Sequence, residues 1–213
     1  MVRVLCVALG YLFGLFQTSY LIGKTHGIDI RDYGSGNAGT TNMLRTMGKK
    51  AGALTFVGDF LKCVAMLMVV EYLIGPKYPD MVPLLKLYGA AGVILGHNFP
   101  FYLNFRGGKG IAASSGLVFL HPVIAVLGII TFFLTFFLTH YVSLGSLMIY
   151  VGFVIEVIIM GQLGMFGMTQ ALLIEMDILA CLLAAMAFYR HKGNIKRLLN
   201  GTERKTYLIN KKK

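Results

Sequence analysis

Three polar segments of this chain carry residue types suited to phosphate chemistry. The first reads Gly34-Ser35-Gly36-Asn37-Ala38-Gly39-Thr40-Thr41-Asn42-Met43-Leu44-Arg45. Three glycines, three hydroxyls and two amides crowd into these twelve positions. Glycine lets a backbone turn its N–H groups toward one small anion, and Ser35, Asn37, Thr40, Thr41 and Asn42 add side-chain donors. A helix beginning after Asn37 would point its N-terminus at the same anion. Arg45 supplies a planar fork for phosphate or carboxylate.

The second segment runs from Gly96, His97 and Asn98 through Phe99-Pro100-Phe101-Tyr102-Leu103-Asn104-Phe105-Arg106 to Gly107-Gly108-Lys109-Gly110. Its glycine-lysine end immediately precedes an apolar stretch, which makes a second anion cradle at a helix N-terminus. It is not a nucleoside-triphosphate loop. Leu103 stands where such a loop needs its first glycine, and Gly110 where it needs Ser or Thr. The aromatic residues suit an interface belt, and His97 taken alone reads as a structural histidine. The third segment spans 190–203 and contains Arg190, His191, Asn194, Arg197 and Glu203. A basic tail holding anionic lipid headgroups would need neither Asn194 nor Glu203. The lysine run at 211–213 does fit that use. No G-x-S-x-G elbow is present, and no histidine is followed by an aspartate five positions on. A site without such a base suits a substrate that arrives already activated.

The rest of the chain must hold these segments in lipid. Of its 213 residues 56% are apolar and 14% charged, and the mean hydropathy is +0.71. A water-soluble domain is nearer 45–50% apolar and about 25% charged. A cytosolic enzyme, a disordered chain and a disulfide module are thereby excluded. Sixteen of the twenty Lys and Arg residues fall in 24–50, 104–110 and 189–213. Basic loops between apolar spans indicate a polytopic membrane protein with one positive face rather than a nucleic-acid binder. Cys6, Cys63 and Cys181 lie in apolar stretches without metal-site spacing, and read as lipid- or core-facing.

Spans are expected at 4–22, 51–74, 82–97, 142–160 and 169–188, with thirty apolar residues at 111–140. The first is read as a retained span, because no cleavage signal follows it. Placing 24–50 inside puts the N-terminus outside, although Arg3 opposes this. The basic tail then also belongs inside, so 110–189 must cross an even number of times. Breaking 111–140 at His121–Pro122 gives seven helices, N-out and C-in, and proline favours that break. The alternative is five crossings, with one apolar stretch re-entrant or interfacial. Within the spans, Asp59 and Lys62 share a helix face and can neutralise each other. Glu71 and Glu175 are placed near interfaces, and Asp177 is a further candidate. Glu156 is the most costly of the buried charges and has no evident partner.

Together the three segments resemble the bacterial membrane-integral glycerol-3-phosphate acyltransferases that use acyl phosphate as donor (the PlsY family). Ser35 to Arg45 match S-G-N-x-G-x-T-N-x-x-R throughout. Gly96 to Ala112 match G-H-x-F-P-x4-F-x-G-G-K-G-x-A-T, with Ala113 in place of its threonine. Arg190 to Glu203 match R-H-x-x-N-I-x-R-L-x-x-G-x-E. The resemblance implies one membrane-embedded, all-α, seven-helix domain over 1–213. It implies acyl transfer from acyl phosphate to the 1-hydroxyl of sn-glycerol 3-phosphate, giving lysophosphatidic acid and phosphate. It also implies signatures on the cytoplasmic face of the bacterial inner membrane. Ser35, Arg45, Lys109, His191 and Asn194 become the catalytic set, and the backbones of Gly34–Gly39 and Gly107–Gly110 the phosphate cradles. Asn37, Thr40, Thr41, Asn42, Gly96, His97, Asn98, Arg190, Arg197 and Glu203 join the glycines as substrate-binding residues. Glu203 orients Arg190, His191 or Arg197. The proton acceptor is a substrate phosphate oxygen, His191 or, with Ser35 as acyl carrier, neither. No cofactor, metal or nucleic acid is implied, and a monomer suffices. The rival readings are a transporter of a phosphorylated metabolite and an anionic-lipid-binding scaffold.

Overall fold

The computed structural model describes residues 1–207, and the 211–213 lysine run lies outside them. All regular structure among the described residues is helical. The principal helices are α1 (Val2–Gly14), α2 (Thr18–Thr25), α3 (Thr40–Val69), α4 (Val82–Asn98), α5 (Ile111–Ser114), α6 (Pro122–Thr139), α7 (Val142–Gln162), α8 (Gln170–Arg190) and α9 (Lys192–Leu199). Five stretches are long and apolar enough to cross a bilayer: Val2–Thr25, Thr40–Lys77, Pro122–Thr139, Val142–Gln162 and Gln170–Arg190. Exposed Ile129, Ile130, Leu134, Phe137 and Leu138 leave α6 facing lipid.

The first span is broken where a continuous helix was expected. α1 ends at Gly14 and α2 starts at Thr18. A break in lipid leaves carbonyls that must find donors inside the protein. Buried Gln17 donates its amide to the carbonyls of Gly14, Gly96 and His97 at 3.0–3.3 Å. Lys62 Nζ donates to the Phe16 carbonyl at 2.8 Å. Polar side chains thus stitch the gap to α3 and α4.

α4 is buried on every side, as its apolar circumference requires. It crosses α1 with its backbone in contact, through Gly10 and Gly14 on one helix and Gly92 and Gly96 on the other. A Cβ on Gly96 would collide with the Tyr11 carbonyl. Gly96, read above as substrate-binding, therefore serves helix packing. Small residues permit this approach where lipid supplies no hydrophobic drive.

The apolar run 111–140 breaks where proline stands. α5 continues as a 3-10 turn over Ser115–Phe119, and Pro122 opens α6, where a missing N–H costs nothing. His121 caps α6 by accepting the Val123 N–H. Its ring meets Phe166, beyond α7, at 6.1 Å between centroids. Gly48, at φ 88°, kinks α3 and separates the segment bearing Thr40–Arg45 from the apolar rod. Asp59 and Lys62 pair at 2.9 Å, buried. Glu175 pairs with Arg3 and Glu71 with Lys86. Cys6 and Cys63 are buried, while Cys181 is exposed on α8.

Candidate active site

The three polar segments meet in one cavity of about 180 Å³. From the first, Ser35, Asn37, Gly39, Thr40, Thr41, Asn42 and Arg45 line it. The second contributes His97, Lys109 and Gly110, and the third His191, Asn194, Arg197 and Glu203. Gly34, Gly36, Gly96, Asn98, Gly107, Gly108 and Arg190 are not among its walls.

In the first segment the fold uses several groups that the sequence offered as ligands. Asn42 is buried, accepts the Ser35 N–H at 2.8 Å and donates to the carbonyls of Ile30 and Tyr33 at 3.1 and 2.9 Å. It is a brace for the loop rather than a free donor. Gly34 and Gly36 take φ 63° and 70°, where a side chain would be strained. At Gly34 a Cβ would also strike the Asn42 side-chain oxygen Oδ1. The N–H groups of Gly36 and Gly39 bond to the Tyr33 and Asn37 carbonyls. Half of the expected cradle of loop N–H groups, those of Ser35, Gly36 and Gly39, is therefore spent internally. Further donors stand at the start of α3, where the Thr40 and Thr41 N–H groups have no intrahelical acceptor. Thr40 Oγ1 is buried and lacks a hydrogen-bond partner among the described residues. Replacing Asn42 by alanine strands two carbonyls and one N–H. It should cost about 3 kcal/mol, at roughly 1 kcal/mol for each lost bond, read as a lower midpoint of thermal unfolding in detergent.

The second cradle is half spent in the same way. Gly107 and Gly108 donate their N–H groups to the Asn98 and His97 carbonyls at 3.2 and 3.1 Å. Their own carbonyls accept from Arg190, at 3.1 Å for Gly107 and 2.7 Å for Gly108. Arg190 also stacks on Phe99, its guanidinium carbon 5.0 Å from the ring centre. It clamps the loop to α8 and leaves no fork for substrate. Asn98 is buried behind this contact. The loop's contribution to the cavity is Lys109, aimed by the left-handed turn at Gly110.

Lys109 donates to Asn194 Oδ1. Asn194 Nδ2 donates to Glu203 Oε1 at 2.7 Å, which also accepts from Ser143 Oγ at 2.8 Å. Arg197 Nε donates to Glu203 Oε2 at 2.6 Å. Of the three partners expected for Glu203, Arg197 is the one it holds. Burial would raise the Glu203 carboxyl, but the bonds from Asn194, Ser143 and Arg197 outweigh it and bring it below the usual range. Burial, with Arg197, Arg190 and Arg45 nearby, pushes Lys109 down to about 8. His191 is pushed down to about 4 by burial and then by the Lys109 charge. Its Nδ1 lies 2.8 Å from the Ala187 carbonyl. A carbonyl can only accept, so Nδ1 carries the proton and Nε2 is left as an acceptor. Arg45 Nη2 donates to Thr206 Oγ1 at 2.9 Å.

Beneath these groups lies a cluster that the sequence reading did not connect. His97 Nδ1 is 2.9 Å from Lys62 Nζ. An ammonium only donates, so His97 accepts there and bears its proton on Nε2. Asp59, bonded to Lys62, lines the cavity floor with His97. Ser143 and Ser146, one turn apart at the start of α7, were also missed. Their i, i+3 hydroxyls were the available signal.

The chain matches the sequence model of the glycerol-3-phosphate acyltransferase family over residues 4–201. It belongs to that family. A glycerol-3-phosphate acyltransferase of Clostridioides difficile (strain 630) is 42% identical over 206 residues, covering 95% of this chain and 94% of the relative. One from Thermoanaerobacter sp. (strain X514) is 40% identical over 207 residues, 96% of each chain. Among solved structures it is similar to PlsY (YgiH), an integral membrane glycerol 3-phosphate acyltransferase, in its glycerol 3-phosphate form. That likeness has TM-score 0.80 and 30% identity, over 97% of this chain and 96% of the other. The lysophosphatidic acid form of the same enzyme gives 0.78 and 29%. As a member of the glycerol-3-phosphate acyltransferase family, the protein is an integral membrane acyltransferase, and its three signatures are the segments that meet in the cavity.

Proposed function

We propose that the protein transfers a fatty acyl group from acyl phosphate to the 1-hydroxyl of sn-glycerol 3-phosphate, releasing lysophosphatidic acid and inorganic phosphate. The observation that carries this reading is the convergence of Arg45, Lys109 and Arg197 on one cavity with the start of α3, next to an apolar cavity that shares Phe56, Ile111 and Phe132 with it. Cations and helix N–H groups suit two phosphorylated substrates, and the apolar neighbour suits a fatty chain.

In this reading Arg45, Ser35 and the first turn of α3 hold glycerol 3-phosphate. Lys109, positioned by Asn194 and Glu203, neutralises the acyl phosphate and the charge developing on the leaving group. The 1-hydroxyl oxygen attacks the acyl carbonyl carbon, the tetrahedral oxyanion collapses, and the bond to the phosphate oxygen breaks. The hydroxyl proton passes to a substrate phosphate oxygen. A phosphate monoester retains an acceptor with a pKa near 6, whereas His191, near 4, is the weaker base. His191 Nε2 then accepts a hydrogen bond from a substrate hydroxyl. Ser35 has no base in hydrogen-bond contact among the described residues, which favours a binding role over covalent catalysis.

We further read 1–213 as a single domain with seven membrane helices, N-terminus out and C-terminus in, whose signatures open to the cytoplasm at the bacterial inner membrane. The break at Pro122 and the contact of His121 with Phe166 support the even crossing number after residue 110. Because one chain lines the whole cavity, the reading needs only a monomer.

The test is purified protein in lipid with glycerol 3-phosphate and, separately, acyl phosphate, acyl-CoA and acyl-carrier protein. Lysophosphatidic acid and stoichiometric phosphate are expected from acyl phosphate alone. Product from the thioesters only, or glycerol-phosphate flux across vesicles without product, would overturn the proposal.

A further inference from the structure

Glu156, left without a role by the sequence, stands in the wall of the apolar cavity. That cavity holds about 240 Å³ and lies between α6, α7 and the 111–119 segment. α6 and α7 are antiparallel neighbours joined at 140–141, beside the polar site. Ile124 on α6 and Glu156 on α7 are therefore the lining residues of these helices farthest from that site. Ser146 lines the polar cavity, and ten residues of helix separate it from Glu156, a distance of ~15 Å. The carboxyl lies back over Gly152, where a Cβ would sit 3.4 Å from Oε1. Its Oε2 is buried without a hydrogen-bond partner among the described residues. Gly128 on α6 lines the same cavity, and a Cβ there would meet nothing within 4 Å. A glycine has thus left room in the wall that this cavity shares with Glu156.

We propose that Glu156 sets the length of acyl chain the enzyme accepts, by ending the apolar cavity in a polar group, and that Gly128 keeps the far half of that cavity wide enough for the chain. This rests on the reaction proposed above. An extended hydrocarbon advances ~1.25 Å per carbon, from the C–C bond length and tetrahedral angle. Roughly 12 carbons therefore fit between the level of Ser146 and Glu156. A longer chain presses methylenes against a carboxyl that then has neither water nor a partner, which is unfavourable whether the group is ionised or protonated. An apolar side chain at 156 removes that penalty, and each further methylene buried raises affinity about fourfold.

The experiment compares kcat/KM for acyl phosphates of 10, 12, 14 and 16 carbons in the wild type, Glu156→Leu and Gly128→Leu. Taking each variant's C16:C10 ratio relative to wild type cancels donor partitioning into detergent or lipid. Glu156→Leu should raise the ratio about tenfold or more, and Gly128→Leu should lower it about tenfold, as two or more methylenes gain or lose their place. General damage to the enzyme does not produce shifts of opposite sign. Two active variants with ratios within twofold of wild type, or shifts in one direction, would overturn the proposal. If Glu156→Leu fails to fold, Gly128→Leu decides alone, since its new side chain enters open space. If the wild type uses thioesters and not acyl phosphate, the donor assignment fails, and the same chain-length series on thioesters still tests the cavity.

Discussion

Arg45→Lys should lower kcat/KM for glycerol 3-phosphate by roughly 10²-fold, the range of a charge-assisted bidentate contact. Arg45 is an exposed residue on the cavity rim, at the level of the first turns of α3. Its side chain already donates to Thr206 Oγ1, which extends it over the opening. Lysine keeps the charge and loses the planar fork, so a phosphate held at two oxygens would be held at one. The loss should appear mainly in KM for glycerol 3-phosphate, with the unfolding midpoint unchanged because the site is solvent-facing. Phosphate release measured against glycerol 3-phosphate concentration is the readout. A variant within threefold of wild type would remove Arg45 from the binding site.

Lys109→Met should cut kcat by 10²–10³-fold, the scale of removing one preorganised stabiliser of developing charge. Methionine keeps the unbranched stem but leaves Asn194 Oδ1 without its donor, while Glu203 keeps its pair with Arg197. The same lysine sets an expectation for pH. Its folded pKa, about 8, is depressed below the usual lysine value by burial and by the neighbouring arginines. The ammonium is therefore complete well below pH 8 and is lost as pH rises through that value. Activity should be highest near pH 7, falling below about 6 as the substrate phosphate acceptor is protonated and falling above 8 as Lys109 is deprotonated. Lys109→Arg, which stays charged, should keep part of the activity and lose the alkaline fall. His191, near 4, is neutral throughout this window and contributes no limb. A profile flat to pH 10 in the wild type would show that Lys109 is not the cation the reaction needs.

Residue type and spacing made much of this molecule legible. The apolar excess required lipid, the basic loops gathered on one face, and Pro122 marked the break in 111–140, because a missing N–H acts locally. Asp59 and Lys62 were readable as a pair because three residues on a helix place two side chains on one face. The functional family followed from three ordered signatures. Which donors remain free was not readable. Asn42, Arg190, Gly107 and Gly108 all looked like ligands, yet each is occupied by a carbonyl or N–H from elsewhere in the chain. Gly96 looked like a substrate contact and is a point where two helices touch. The joining of His97 to Lys62, of Ser143 to Glu203, and of Glu156 to an apolar cavity shared with Gly128 had no local signal. A side chain's chemistry is carried by its own atoms and its near neighbours. Its availability depends on partners from 9 to 83 residues away, which the packing of loops and helices brings into hydrogen-bond range.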